Sequence, residues 1–231
     1  MTLTTRDLTQ TKQWLTQVQR SDISNIIAAS FANIAPEQYL AKYFDSDEPF
    51  ERKLRLYYAD NKLVGYCLLT FSHELDITVI GASAAFLPYY RNGGNTFVFS
   101  IMHSVLCWLK RPWRKHYYAD TMLSPAMYRA IAKKTATIWP HFAHPAPAGI
   151  FEKFNSGGEV SVANSLRCLV SVNRTSNYSP QELETLKNSD KAEIKYYCQV
   201  NPEFNKGKAL FVIIPINLTQ VLKTLWKNLL N

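Results

Sequence analysis

The stretch that most constrains the fold runs from Ile80 to Leu109. Residues Asp76 to Leu87 read as a β-strand, which breaks at Pro88-Tyr89-Tyr90-Arg91-Asn92-Gly93-Gly94-Asn95. The chain then takes up helical spacing, with Val98, Met102, Val105 and Leu109 on one stripe and Phe97, Ile101 and Trp108 beside it. A glycine pair between strand and helix lets backbone N–H groups turn inward with no Cβ in the way. The helix beginning near Thr96 adds its own unpaired N–H groups and the positive end of its dipole. Together these make a seat for phosphate, and Arg91 sets a fixed positive charge beside it. A dinucleotide fingerprint does not fit, because Gly93-Gly94 lacks the third spaced glycine and the strands before it read as antiparallel.

The surrounding pattern is that of an α/β protein. Asp7 to Arg20, with Leu8, Trp14, Leu15 and Val18, is expected to form a loosely laid helix. Ser21-Asp22 is expected to cap a second helix, with Ile23, Ile26, Ile27 and Phe31 on one face. Pro36 opens a short helix. Lys53 to Ala59 alternates and turns at Asp60-Asn61 into Lys62 to Phe71, and His73-Glu74 marks the turn into the third strand of an antiparallel meander. After the helix, His116 to Met122 reads as a strand, and Ser124-Pro125 opens another helix with Ser as N-cap. His141 to Pro147 is loop, Gly149 to Asn155 a helical turn, and Leu166 to Val172 a strand. Ser179-Pro180-Gln181-Glu182 is a capping box. Ile194 to Val200 and Ala209 to Ile216 are expected to pair as a hairpin, followed by an amphipathic helix from Leu218 to Leu230. With no linker and no repeat, residues 1–231 are expected to form one domain.

Phe86-x-Pro88-x-Tyr90-Arg91-x-x-Gly94-x-Thr96 resembles the coenzyme A loop of the GNAT acetyltransferases, in which Pro, an aromatic, Gln or Arg, and Gly recur at this spacing. Phe86 stands where Val is usual, and Thr96 where Gly or Ala is usual. The order of elements agrees over about residues 21–140, while 141–231 diverge. The resemblance implies a mixed, mainly antiparallel twisted sheet flanked by helices, with a splayed central strand pair. It implies acetyl-CoA or another acyl-CoA as donor, its pyrophosphate on Arg91, Asn92, Gly93, Gly94, Asn95 and Thr96. Ala85, Phe86 and Leu87 would offer backbone N–H groups to the thioester oxygen. An amine-bearing small molecule or peptide would attack the thioester directly, with a base taking its proton and an acid protonating the thiolate. In one register of the helix after the fifth strand, Tyr128 occupies the family's acid position; in the other, no tyrosine does. No carboxylate lies on Val79 to Leu87, so His73 and Glu74, with Asp76, are the nearest base candidates.

Charge narrows the partners. The formal net charge is +8, and between Ile77 and Phe151 eight basic residues face Asp120 alone, a local net of +7. Such a field draws an anionic partner: nucleotide phosphates, an acidic acyl carrier protein, nucleic acid or an anionic membrane surface. Lys110-Arg111-Pro112-Trp113-Arg114-Lys115 interleaves basic and aromatic residues, as a nucleic-acid surface does, yet no nucleic-acid-binding signature accompanies it. No segment is apolar over a membrane-spanning length, and the polar start lacks a secretory signal. The four cysteines form no C-x-x-C pair and the histidines share no metal-ligand spacing, so the expectation is a cytoplasmic protein without a metal.

Overall fold

The computed structural model describes residues 3–91, 96–172 and 174–229. The chain gathers into two compact units, Met1–His116 and Tyr117–Asn231. Both mix helices with mainly antiparallel strands.

In the first unit the strands β1 (Thr4–Thr9), β2 (Glu51–Ala59), β3 (Lys62–Glu74) and β4 (Ile77–Phe86) lie in that order in one antiparallel sheet. Helices α1 (Gln17–Ser30), α2 (Pro36–Leu40) and α3 (Thr96–Lys110) accompany it, and α2 runs on into a π-helical turn at Ala41–Asp45. Asp60 and Asn61 take φ values of 47° and 63°, the left-handed pair a tight hairpin needs, so the β2–β3 turn falls where the sequence put it. The core joins Ile23, Ile26 and Ile27 of α1 and Leu40 to Leu54, Leu56, Tyr66 and Leu68 of the sheet.

Three expectations are corrected here. Residues Thr4–Thr9 are an edge strand, because Asp7 pairs opposite Arg55 and receives two 2.7 Å bonds from its guanidinium. Helix α1 starts at Gln17, because Thr16 and Gln19 close a capping box ahead of Ser21-Asp22. The ladder between β3 and β4 also runs past His73-Glu74, and the turn falls on Leu75, with φ 50°, and Asp76.

In the second unit β5 (Lys115–Met122, whose first two residues belong to the first unit), β7 (Lys208–Ile216) and β6 (Leu169–Ser171) lie in the order β5-β7-β6, with β6 antiparallel to β7. Helices α4 (Pro125–Ala132), α5 (Ile150–Phe154), α6 (Pro180–Lys187), α7 (Ala192–Val200) and α8 (Leu218–Leu229) complete it. The caps at Ser124 and Ser179 form as the sequence indicates. The expected hairpin strand at Ile194 to Val200 is helix α7 instead. Ile194, Tyr197 and Val200 recur at helical spacing and bury one face, and the Tyr197 hydroxyl donates to Met122 O at 2.6 Å.

Candidate functional site

Strand β4 is fastened along its last turn of chain before it reaches the candidate loop. Ser83 Oγ lies 2.6 Å from the Tyr39 hydroxyl and 3.1 Å from that of Tyr66. The Ser30 hydroxyl donates to the carbonyl of Phe86 at 3.0 Å, and Leu87 N–H donates to Val64 O at 2.9 Å. The Phe86 ring lies over Gly65, its register partner on β3, and leans on Tyr57 with ring centroids 4.9 Å apart. A Cβ at Gly65 would stand 2.8 Å from Phe86 Cγ, with Cδ1 and Cε1 closer still. Glycine at this point is what lets an aromatic end the strand where a smaller residue is usual. Sequence reasoning missed Gly65, although a lone glycine inside a strand pattern signals close approach of a neighbour.

From Leu87 the chain enters a tight turn at Pro88–Tyr90, with Tyr90 N–H bonded to Leu87 O at 2.8 Å. Proline fixes φ at the start of this turn and gives up an N–H that would have had no helical partner. Arg91 follows, half-buried. Asn92, Gly93, Gly94 and Asn95 lie outside the described residues. Helix α3 resumes at Thr96 and is pinned in its first turns: Phe99 is fully buried under the Arg55 guanidinium, 4.6 Å from its ring, and Ser100 Oγ is 3.8 Å from Cys67 Sγ. Ala85, Phe86, Leu87, Arg91 and Thr96 thus bracket one strand-to-helix passage with both ends anchored to the same sheet.

His73 and Glu74 stand elsewhere. In the β3–β4 register His73 faces Thr78, eight residues from the Gly65–Phe86 pair, or roughly 27 Å at about 3.4 Å per residue. The His73 ring stacks on Phe50 with centroids 4.1 Å apart, and burial, then Arg114 and Arg111, push its pKa down and favour the neutral imidazole. Glu74 is exposed. That separation sets both apart from the strand end to which the resemblance assigns the thioester.

The basic run beyond α3 is largely tied to its own unit. Arg114 donates to Thr78 Oγ1 at 3.3 Å and to the carbonyls of Leu75 and Ile77 at 2.6 and 2.8 Å. Arg111 lies over the Phe50 ring at 4.6 Å, and Lys115 pairs with Asp76 at 3.3 Å.

Tyr128 belongs to the second unit. It is fully buried on α4, and its hydroxyl donates to the carbonyl of Pro140 at 2.8 Å, among the rings of Tyr196 and Tyr197. Burial, then the neighbouring Tyr196 and Glu193, raises its pKa far above that of a free phenol. To protonate a thiolate the hydroxyl would have to leave Pro140. Tyr128→Phe is therefore expected to lower stability by about 1 kcal/mol, the cost of one buried hydrogen bond, and to change turnover less than about threefold. Urea melts and amine-dependent thiol release check this; a fall in turnover of about 10²–10⁴-fold at unchanged stability would identify Tyr128 as the acid instead.

Among the described residues no group of three or more His, Cys, Asp or Glu side chains could hold a metal ion. No protein-family model and no curated protein sequence matches the chain. Several solved structures share features of its fold at low identity. The ribosomal-protein-alanine N-acetyltransferase of Escherichia coli is 11% identical at a TM-score of 0.37, over 92% of this chain and 96% of that one. A Tetrahymena histone acetyltransferase catalytic domain in complex with coenzyme A is 11% identical at a TM-score of 0.41, over 66% of this chain and 84% of that one. Mutant forms of the spermidine/spermine N-acetyltransferase of Vibrio cholerae are 14% identical at a TM-score of 0.38, over 60% and 81%. At these scores the likeness positions no residue and assigns no activity. The resemblance of this chain to the GNAT family rests on its own loop residues and on the order of its elements.

Proposed function

We propose that this chain is a GNAT-type N-acyltransferase that moves an acetyl or other acyl group from acyl-CoA to an amine. The observation that carries the reading is the passage from Phe86 through the Pro88–Tyr90 turn and Arg91 into α3: it joins the family's loop residues to a strand and a helix fastened to one sheet. In this reading the N–H groups at the start of α3 and the Arg91 guanidinium receive the pyrophosphate of the donor. At the end of β4, held by Ser30, Val64 and Gly65, the Leu87 N–H is already given to Val64 O, so it is the Phe86 N–H, facing away from β3 in the alternation of the ladder, that would meet the thioester oxygen. The amine nitrogen attacks the thioester carbonyl carbon and gives its proton to a base. The C–S bond breaks as the amide forms, and the sulfur takes up a proton. Residues 141–231, where the sequence departs from the family pattern, would shape the acceptor side of a single catalytic domain.

An acyl carrier protein is the alternative donor. It would need a broad cationic face, whereas Arg111 and Arg114 are engaged with Phe50 and with backbone carbonyls, which favours the compact phosphates of coenzyme A. A non-catalytic nucleic-acid-binding module is the third reading, and the same engagement of the basic run weighs against it.

Ligand bound only by the native state raises its stability, by about 2.7 kcal/mol at a hundredfold excess over Kd. Coenzyme A is accordingly expected to raise the melting temperature, and Arg91→Glu to abolish the shift. No shift with coenzyme A and none with an acyl carrier would remove the donor site from this loop.

A further inference from the structure

Helix α8 is turned the opposite way from a helix that supports a core. Its polar side faces the protein. Gln220, 6% exposed, donates to Thr137 O at 2.8 Å and accepts from Thr137 N–H at 3.2 Å. Thr224, 2% exposed, accepts from Ala136 N–H at 3.1 Å. Lys227 Nζ reaches the carbonyls of Ala132 and Thr135 at 3.1 and 2.8 Å, and Asn228 that of Lys134 at 2.7 Å. The free carbonyls after α4 are satisfied in this way, with the cation of Lys227 at the negative end of that helix.

The apolar side of α8 consequently faces outward. Leu218, Leu222, Leu225, Trp226 and Leu229 are 56–81% exposed, and their spacing puts them on one stripe opposite Gln220 and Thr224. Single exposed leucines are ordinary; five large apolar residues in one row, held there by specific hydrogen bonds on the other side, are not. Gln220, Thr224, Lys227 and Asn228 fix the helix by its polar groups, so the exposed row is a consequence of how the helix is attached, and rotating it inward would break every one of those bonds.

Charge decides what covers the row. Helix α8 and the segment it is bonded to, residues 132–137, carry the exposed Lys133, Lys134 and Lys223 and no Asp or Glu, while Lys227 is turned inward onto its carbonyls. A second copy docking face to face through the same row would set these cations against themselves. An anionic lipid surface complements them, and a helix with Leu and Trp on one face and the exposed Lys223 at its flank is suited to lie in the plane of a membrane interface. Among the described residues no helix is long and apolar enough to cross a bilayer, so contact would be on the surface.

We propose that α8 is a membrane-docking helix that seats its Leu218–Leu229 row in the interface of an anionic bilayer, with Lys133, Lys134 and Lys223 over the headgroups. The inference does not depend on acyl transfer. It is tested on the full chain by cosedimentation with vesicles of phosphatidylcholine mixed with phosphatidylglycerol, against vesicles of phosphatidylcholine alone. The expected result is binding to the mixed vesicles that weakens with salt and falls at least about tenfold without the anionic lipid. Leu222→Gln combined with Trp226→Gln is expected to abolish it, and Lys133→Gln with Lys223→Gln to weaken it, both without lowering the melting temperature, since these side chains are exposed. Absence of binding to the mixed vesicles, equal binding to both kinds, or binding untouched by the α8 substitutions would overturn the proposal. A dimer in sedimentation that Leu222→Gln and Trp226→Gln dissociate would overturn it in favour of a second copy.

Discussion

Gly65→Ala is expected to lower stability by about 1–3 kcal/mol, the usual cost of forcing extra volume into a packed site. The new methyl group would meet the buried Phe86 ring, which cannot swing away without losing its contact with Tyr57. Phe86 is followed directly by Leu87 and the Pro88 turn, so displacing it also disturbs the passage into α3. Affinity for coenzyme A is expected to fall together with stability. The pairing is specific and so is its rescue: Gly65→Ala with Phe86→Val should recover most of both losses, because the smaller side chain vacates the volume the methyl needs. The coupling measured by this double-mutant cycle is the relevant quantity. Gly65→Ala melting like the unaltered protein would mean that Phe86 is not held over that glycine.

Arg52→Met is expected to be costlier. Arg52 is 1% exposed, yet its guanidinium ties two other segments to β2: Nε donates to Tyr43 O at 3.0 Å and Nη2 to the carbonyl and hydroxyl of Ser46 at the end of the same turn, and Nη1 donates to Gln10 Oε1 at 2.8 Å. Burial pulls its pKa down, and the acidic loop residues Asp45, Asp47 and Glu48 oppose that pull, so the side chain stays charged. Methionine fills much of the volume but takes the donor from the half-buried acceptors of Tyr43, Gln10 and Ser46, at about 1–3 kcal/mol for each one that water cannot reach. A loss of about 3 kcal/mol or more is expected in urea denaturation. Arg52→Lys should recover little of it, since one ammonium cannot span the fork that reaches Tyr43, Gln10 and Ser46 together. Full recovery by lysine would show that charge rather than shape is what the site needs.

What was legible in the sequence was mostly local. Ser124 and Ser179 cap their helices through bonds spanning three residues, and Asp60-Asn61 makes its turn with its own backbone. What was not legible depended on distant chain. Thr4–Thr9 is polar and reads as helix or loop until Arg55, far along the sequence, supplies the partner for Asp7. Ile194 to Val200 carries apolar residues that suit either period, and the burial of Tyr197 against Met122 decides for helix. Along the candidate loop, the spacing of Phe86, Pro88, Tyr90, Arg91 and Thr96 is itself the signal on which the proposed donor site rests. Gly65 could not, since only the β3–β4 register places it under Phe86. The same register carries the strands past His73 and Glu74, which a shorter strand would have left at the turn.

The most direct test of the account is to incubate the purified chain with a panel of acyl-CoA thioesters and amine acceptors, following free thiol and the acylated amine together. Thiol release is expected to require an amine, to equal amide formation, and to be lost in Arg91→Glu. Acyl-carrier thioesters run in parallel distinguish the two donors. Thiol release from carrier-bound acyl groups with every acyl-CoA inert would contradict the donor proposed here, and release from neither, with any amine, would contradict acyl transfer itself.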